Sequence, residues 1–183
     1  MRLFIAIDCT SLQTDLKTLQ EPFYELKVRF VNDFHLTLKF IGEVDDADYI
    51  WIVNQLKGVK VQSFYLQLNQ LGTFRSYSQQ VLWCGVAASD ELSQLHREVE
   101  RVIGHRYPSS SSFYPHITLA RLKHPHKLSS ESKELIQREM AREVVNTMML
   151  VDKFLLIESK LTPSGPVYIE KASYPLNGIW RDD

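Results

Sequence analysis

Two histidines head the same short order of residues. Residues 34–40 read FHLTLKF and residues 115–121 read PHITLAR, so His35 and His116 are each followed by an apolar residue, a threonine and a leucine. From the His, Thr and Leu content of the chain, about 0.03 such tetrads are expected by chance. Side chains alternate faces along a strand. His35 and Thr37 therefore share one face, with Leu36 and Leu38 on the other; His116 and Thr118 share one face, with Ile117 and Leu119 on the other. Two such strands meeting at a cleft would bring two imidazoles and two hydroxyls together. An imidazole exchanges a proton near neutral pH. One neutral and one protonated imidazole form the base and acid that hydrolysis or transesterification of a phosphate ester requires. Threonine hydroxyls donate to non-bridging phosphate oxygens, and a cation such as Arg121 offsets the developing charge.

A single strand histidine is ordinarily structural; the matched threonines in both copies turn the reading toward chemistry. Neither motif has a second His, Cys or carboxylate at metal-ligand spacing, so no metal is expected. The HPH run at 124–126 reads as a solvated loop, and His96 and His105 as solvated or capping residues of a charged helix. Strict alternation puts Lys39 on the face of His35, Phe40 away from the cleft, and Arg121 on the face opposite His116. Tyr114, Arg75 and Tyr168 are further candidates to touch a base or a backbone.

The elements that must position these groups follow from periodicity. Residues 2–7 (RLFIAI) form a short buried strand, and 9–27 a helix capped by Thr10 or Ser11 and bent or restarted at Pro22. The first motif is a strand stopped by Gly42, followed by a helix with an acidic first turn over 45–58. Residues 63–74 and 81–88 are strands. A helix over 89–105 has Leu92, Leu95, Val99, Val102 and Ile103 at helical spacing. The second motif is a strand, 129–144 a charged helix, and 146–161 and 166–176 two strands joined at Pro163-Ser164-Gly165. Several adjacent strands are joined too briefly for crossover helices, which predicts antiparallel pairing and an α+β class.

Composition narrows the function. The 183 residues suit one domain, and 44% hydrophobic with 23% charged residues is ordinary for a globular protein. Lys and Arg number 21 against 22 acids, so the chain lacks the basic excess of a protein that tracks a long polyanion. A nucleic-acid substrate would be held by a short piece or an end. Cys9 and Cys84 read as buried free thiols of a reducing compartment. The N-terminal segment lacks a signal-peptide pattern, and no apolar run approaches the roughly 20 residues of a membrane span.

With its flanks, the doubled motif resembles the two-histidine phosphoesterases, and among them the RNA 2′,3′-cyclic phosphodiesterases once called 2′-5′ RNA ligases. The likeness runs through RLFIAI, FHLTLKFIGEV, LGTF, VLWCGV, LHREVE, FYPHITLARLK and the tail LLIESKLTPSGPVYIEKASYPL. It implies a single bilobal domain over 1–183, with two mainly antiparallel sheets, helices outside and a central cleft. It implies catalytic roles for His35 and His116, with His35 as the acid on O3′ and His116 as the base on water. Thr37, Thr118 and Arg121 would bind the phosphate. The implied reaction opens a 2′,3′-cyclic phosphate RNA end to a 2′-phosphate, with 2′-5′ ligation as its reverse. No cofactor is expected, and the chain is expected to act as a cytoplasmic monomer away from membranes. A 2′-5′ oligoadenylate phosphodiesterase, another cyclic nucleotide or ADP-ribose phosphodiesterase, and a non-catalytic RNA-end binding module are the alternatives.

Overall fold

A computed structural model describes residues 1–144, 146–163 and 165–178. In chain order the elements are β1 (Arg2–Asp8), α1 (Gln13–Gln20), β2 (Arg29–Phe30), β3 (His35–Glu43), α2 (Asp46–Leu56), β4 (Phe64–Arg75) and β5 (Gln79–Val86). They continue with α3 (Asp90–Ile103), β6 (His116–Lys123), α4 (Ser130–Met140), β7 (Met148–Val151), β8 (Lys153–Thr162) and β9 (Gly165–Pro175). Every named strand pair is antiparallel, as an α+β chain with short connections requires. Where two sheets were expected there is one nine-stranded sheet, whose halves β7-β4-β5-β6 and β3-β1-β8-β9 are continuous, with β2 added to β6. They join edge to edge where the two motif strands meet, through the pair Leu36–Ile117.

Alternation sorts the sheet into two faces. On β1, Leu3, Ile5 and Ile7 enter the large core beneath the helices, while Phe4 and Ala6 pack with Leu155 and Ile157 on the opposite face. All five helically spaced apolar residues of α3 are buried. The Asp45, Ser89 and Ser129 side chains accept from backbone N–H groups at the starts of α2, α3 and α4, which satisfies donors that a helix start leaves open. The first helix differs from expectation. Asp8 accepts from both the N–H and the hydroxyl of Thr10, so neither Thr10 nor Ser11 caps it. The chain makes a 3-10 turn over Thr10–Leu12 before α1, and Pro22 opens a second turn. The strand expected over 146–161 is two strands: β7 pairs with β4, and after Asp152 the chain crosses to pair β8 with β1. Of the turn expected at Pro163-Ser164-Gly165, Ser164 lies outside the described residues.

Bulges decide which side chains reach the open face. Against β1, the register of β3 jumps from Thr37 opposite Ala6 to Lys39 opposite Ile5, leaving Leu38 as an extra residue. Against β5, the register of β6 jumps from Thr118 opposite Trp83 to Ala120 opposite Leu82, leaving Leu119 extra. The bulges stand at the same place in both motifs, and each resets the alternation by one. Leu38 and Lys39 both turn inward, and so do Leu119 and Ala120. Phe40 and Arg121 thereby come round to the face of the histidines. Gly42 does not end β3. It sits at a second bulge with φ of 93°, a left-handed backbone that glycine adopts without strain.

Burial of Lys39 is the cost of that reset. Its side chain is 0% exposed and donates to Glu100 at 2.6 Å and to Ser109 at 2.7 Å. Removing one partner of a buried pair strands the other charge. Glu100→Ala is expected to lower the unfolding free energy in urea melts by about 3 kcal/mol, and the double change Lys39→Met with Glu100→Leu to recover most of it. Additive losses in the double variant would contradict this.

Candidate active site

Antiparallel pairing at Leu36 and Ile117 sets each histidine beside the threonine of the other motif: His35 against Thr118, and Thr37 against His116. His35, Thr37, His116, Thr118 and Arg121 line one cavity of about 490 Å³, together with Phe4, Phe40, Phe74 and Tyr168. All five residues singled out from the sequence thus converge. Arg121 and Phe40 are corrections to strict alternation, and the bulges at Leu119 and Leu38 are the reason. Phe40 is 70% exposed to the cleft, whereas Lys39, expected on the face of His35, is turned inward.

The two imidazoles are held alike. Nδ1 of His35 lies 3.1 Å from the Asp33 carbonyl, and Nδ1 of His116 lies 2.7 Å from that of Tyr114. A carbonyl only accepts, so Nδ1 carries a proton in both rings. Nε2 is left to accept a proton in the neutral ring or to donate one in the charged ring. The rings are wedged by aromatics: His35 by Phe4 and Tyr168 at 5.1 and 5.0 Å between ring centres, His116 by Phe74 at 4.9 Å. Trp83 backs the second wedge. It lies across Gly72, where a Cβ would overlap its indole ring, so a glycine is required there.

Burial lowers the pKa of both histidines, and the carbonyl bonds and Arg121 act after it, raising and lowering respectively. The carboxylates of Asp33 and Asp8 favour the charged form of His35 in addition, against the burial that outweighs them.

Two smaller cavities flank the central one. The first, about 340 Å³, is walled by Thr37, Phe40, Phe74, His116, Tyr114 and residues 109–113. The second, about 300 Å³, is walled by His35, Thr118, Arg121, Arg29, Asn32 and Tyr168 among others. Tyr168 and Tyr114 are thus at the site, as the sequence suggested, while Arg75 is on none of these walls. His96, expected in solvent, is stacked on Phe113 at 4.0 Å on the wall of the first cavity. His105 packs edge-on against Trp51, and His126 stacks on Tyr77 away from these cavities. Sequence reasoning missed Phe4, Phe74, Trp83 and Arg29; the first three read as core apolars, and Arg29 as one more charge in a loop. Among the described residues no three His, Cys, Asp or Glu side chains gather where they could hold a metal ion. Cys9 and Cys84 are free, and burial pushes both thiols up to about 12.

Residues 10–161 match the family model of the 2′-5′ RNA ligase superfamily. An RNA 2′,3′-cyclic phosphodiesterase of Aeropyrum pernix is 36% identical over 140 residues, 74% of this chain and 78% of that protein. One of Thermotoga maritima is 32% identical over 179 residues, 92% of this chain and 91% of that protein. Among solved structures, TT0787 of Thermus thermophilus superposes with a TM-score of 0.76 at 26% identity, covering 97% of this chain and 99% of that one.

The surroundings of the imidazoles fix their titration. Both are expected to titrate below about 6.5 when followed by NMR of the ring nitrogens. Arg121→Ala removes a cation that opposes protonation, so both midpoints should rise; added inorganic phosphate should also raise them. Midpoints unmoved by either change would show that Arg121 and the cleft do not act on these rings.

Proposed function

The chain belongs to the 2′-5′ RNA ligase superfamily of two-histidine phosphoesterases, and on that premise we propose that it is an RNA 2′,3′-cyclic phosphodiesterase releasing 2′-phosphate ends. One observation carries the reading: both motifs deliver His and Thr to one cavity, each imidazole with Nδ1 tied to backbone and Arg121 alongside. The relatives bearing that name at 36% and 32% identity support it.

In this reading the cyclic phosphate lies between the histidines. His116 takes a proton from water as the water oxygen bonds to phosphorus. The P–O3′ bond breaks, and His35 delivers its proton to O3′. The products are a 3′-hydroxyl and a 2′-phosphate, and the two histidines end with their protonation exchanged. The acid role for His35 is supported by Asp33 and Asp8 beside it. Thr37 and Thr118 hydroxyls donate to the non-bridging oxygens, and Arg121 stabilises the charge that builds on them. These steps require no metal. With a 5′-hydroxyl in place of water on the same cyclic ester, the same pair in the same roles would form a 2′-5′ linkage, His116 taking the hydroxyl proton and His35 protonating O3′ as the P–O3′ bond breaks. Two buried free thiols suit a reducing cytoplasm.

Turnover of adenosine 2′,3′-cyclic phosphate to the 2′-phosphate, read by phosphorus NMR, is expected to persist in excess EDTA. His35→Ala and His116→Ala should each lower kcat by about 10²–10⁴-fold. Arg121→Ala should lower it by roughly 100-fold. Activity that disappears with EDTA, or that survives in both histidine variants, would refute the proposal.

A further inference from the structure

The two flanking cavities are counterparts. One takes Thr37 from the first motif and His116 from the second, the other Thr118 and His35, because the motif strands run antiparallel. Phe40 and Arg121 hold the same place after their histidines, one in each cavity. The cavities share no wall residue with one another, and each shares wall residues with the central cavity.

Their chemistry differs. The first has aromatic walls in Phe40, Phe74 and Tyr114 and serine hydroxyls along 109–112, and its one cation, Lys39, is neutralised by Glu100. Such a surface suits a nucleobase, by stacking and by edge hydrogen bonds. The second holds two guanidinium groups, Arg29 and Arg121, with the Asn32 amide and the Tyr168 phenol, against one carboxylate, Asp33. The fields of Arg121, Arg29 and Arg2 all reach Tyr168. Arg29 is placed there by two features. Strand β2 pairs it across from Arg121. The β8–β9 hairpin brings Gly165 beneath it at φ 129°, where a Cβ would fall inside the guanidinium.

A cyclic nucleotide end is lopsided in the same sense. On the ribose, O2′ neighbours the carbon that bears the base, and O3′ neighbours the carbon that leads to the 5′-phosphodiester. Resting on the reaction proposed above, O3′ faces His35, which turns the 5′ side of the ribose toward the arginine cavity and the base toward the aromatic one. We infer that the cavity of Arg29 is a second phosphate subsite, which binds the phosphodiester 5′ to the terminal ribose. Arg29 is its dedicated cation, and Arg121 is shared with the reacting phosphate. The preferred substrate is then a cyclic-ended oligonucleotide, not a cyclic nucleoside monophosphate, and the aromatic counterpart keeps the ribose from binding turned about.

Binding of stable product analogues tests this without turnover. Titration calorimetry at low salt is expected to show adenosine 2′,5′-bisphosphate binding about 10- to 100-fold more tightly than adenosine 2′-phosphate, as charge-assisted hydrogen bonds to one more phosphate imply. Arg29→Ala should remove most of that ratio, and Arg29→Lys should restore part of it. Equal affinities in the unaltered protein overturn the subsite, whatever the variants do. A ratio retained in folded Arg29→Ala also overturns it. A ratio present and lost with Arg29, in a protein that fails to open the cyclic ester, supports the subsite and faults the reaction instead.

Discussion

Pairing of Leu36 with Ile117 is the contact on which the site depends. Both side chains are 0% exposed, and burying each contributes about 2–3 kcal/mol, so the junction is held by core packing and not by the polar groups it presents. The antiparallel sense sets each imidazole beside the other motif's hydroxyl. A one-residue slip would turn one His–Thr pair into the helix-covered core. The cleft therefore lies over the seam between two halves of one sheet, and its polar groups stand either side of a single aliphatic pair.

The bulges at Leu38 and Leu119 add the second constraint. Each lets a motif strand bury two successive residues and then return to the cleft face. In the first copy the returning residue is Phe40, in the second Arg121. The same backbone device thus supplies an aromatic wall on one side and a cation on the other. The inward turn of Lys39 accompanies this, and its ion pair with Glu100 fixes the serine loop through Ser109. Two like bulges thus carry unlike side chains, and β2 with the Gly165 hairpin adds a further difference on the side of Arg121.

Much of this was legible in the sequence. The doubled order of His, apolar residue and Thr identified the four groups of the centre, because alternation puts the polar pair on one face wherever a strand forms. The helix at 46–56 was visible in its acidic first turn, and that at 90–103 in its apolar spacing. The face of Arg121 was not, since a bulge leaves no periodic mark: Leu119 and Ala120 read as ordinary alternation until the partner strand shows that one of them is extra. The split at Asp152 was hidden for a similar reason, as both strands are apolar and only their different partners separate them.

What the sequence determined by itself is the set of polar groups that meet at the cleft and the class of fold, because both follow from local periodicity and side-chain chemistry. What only the tertiary structure decided is how those groups meet. The register at Leu36 and Ile117, the bulges that turn Phe40 and Arg121 inward to the cleft, the wedges of Phe4, Tyr168, Phe74 and Trp83, and the seat of Arg29 on Gly165 all depend on residues far apart in the chain. Each is a relation between two strands, and a relation between strands is settled by pairing and packing, which no single segment encodes.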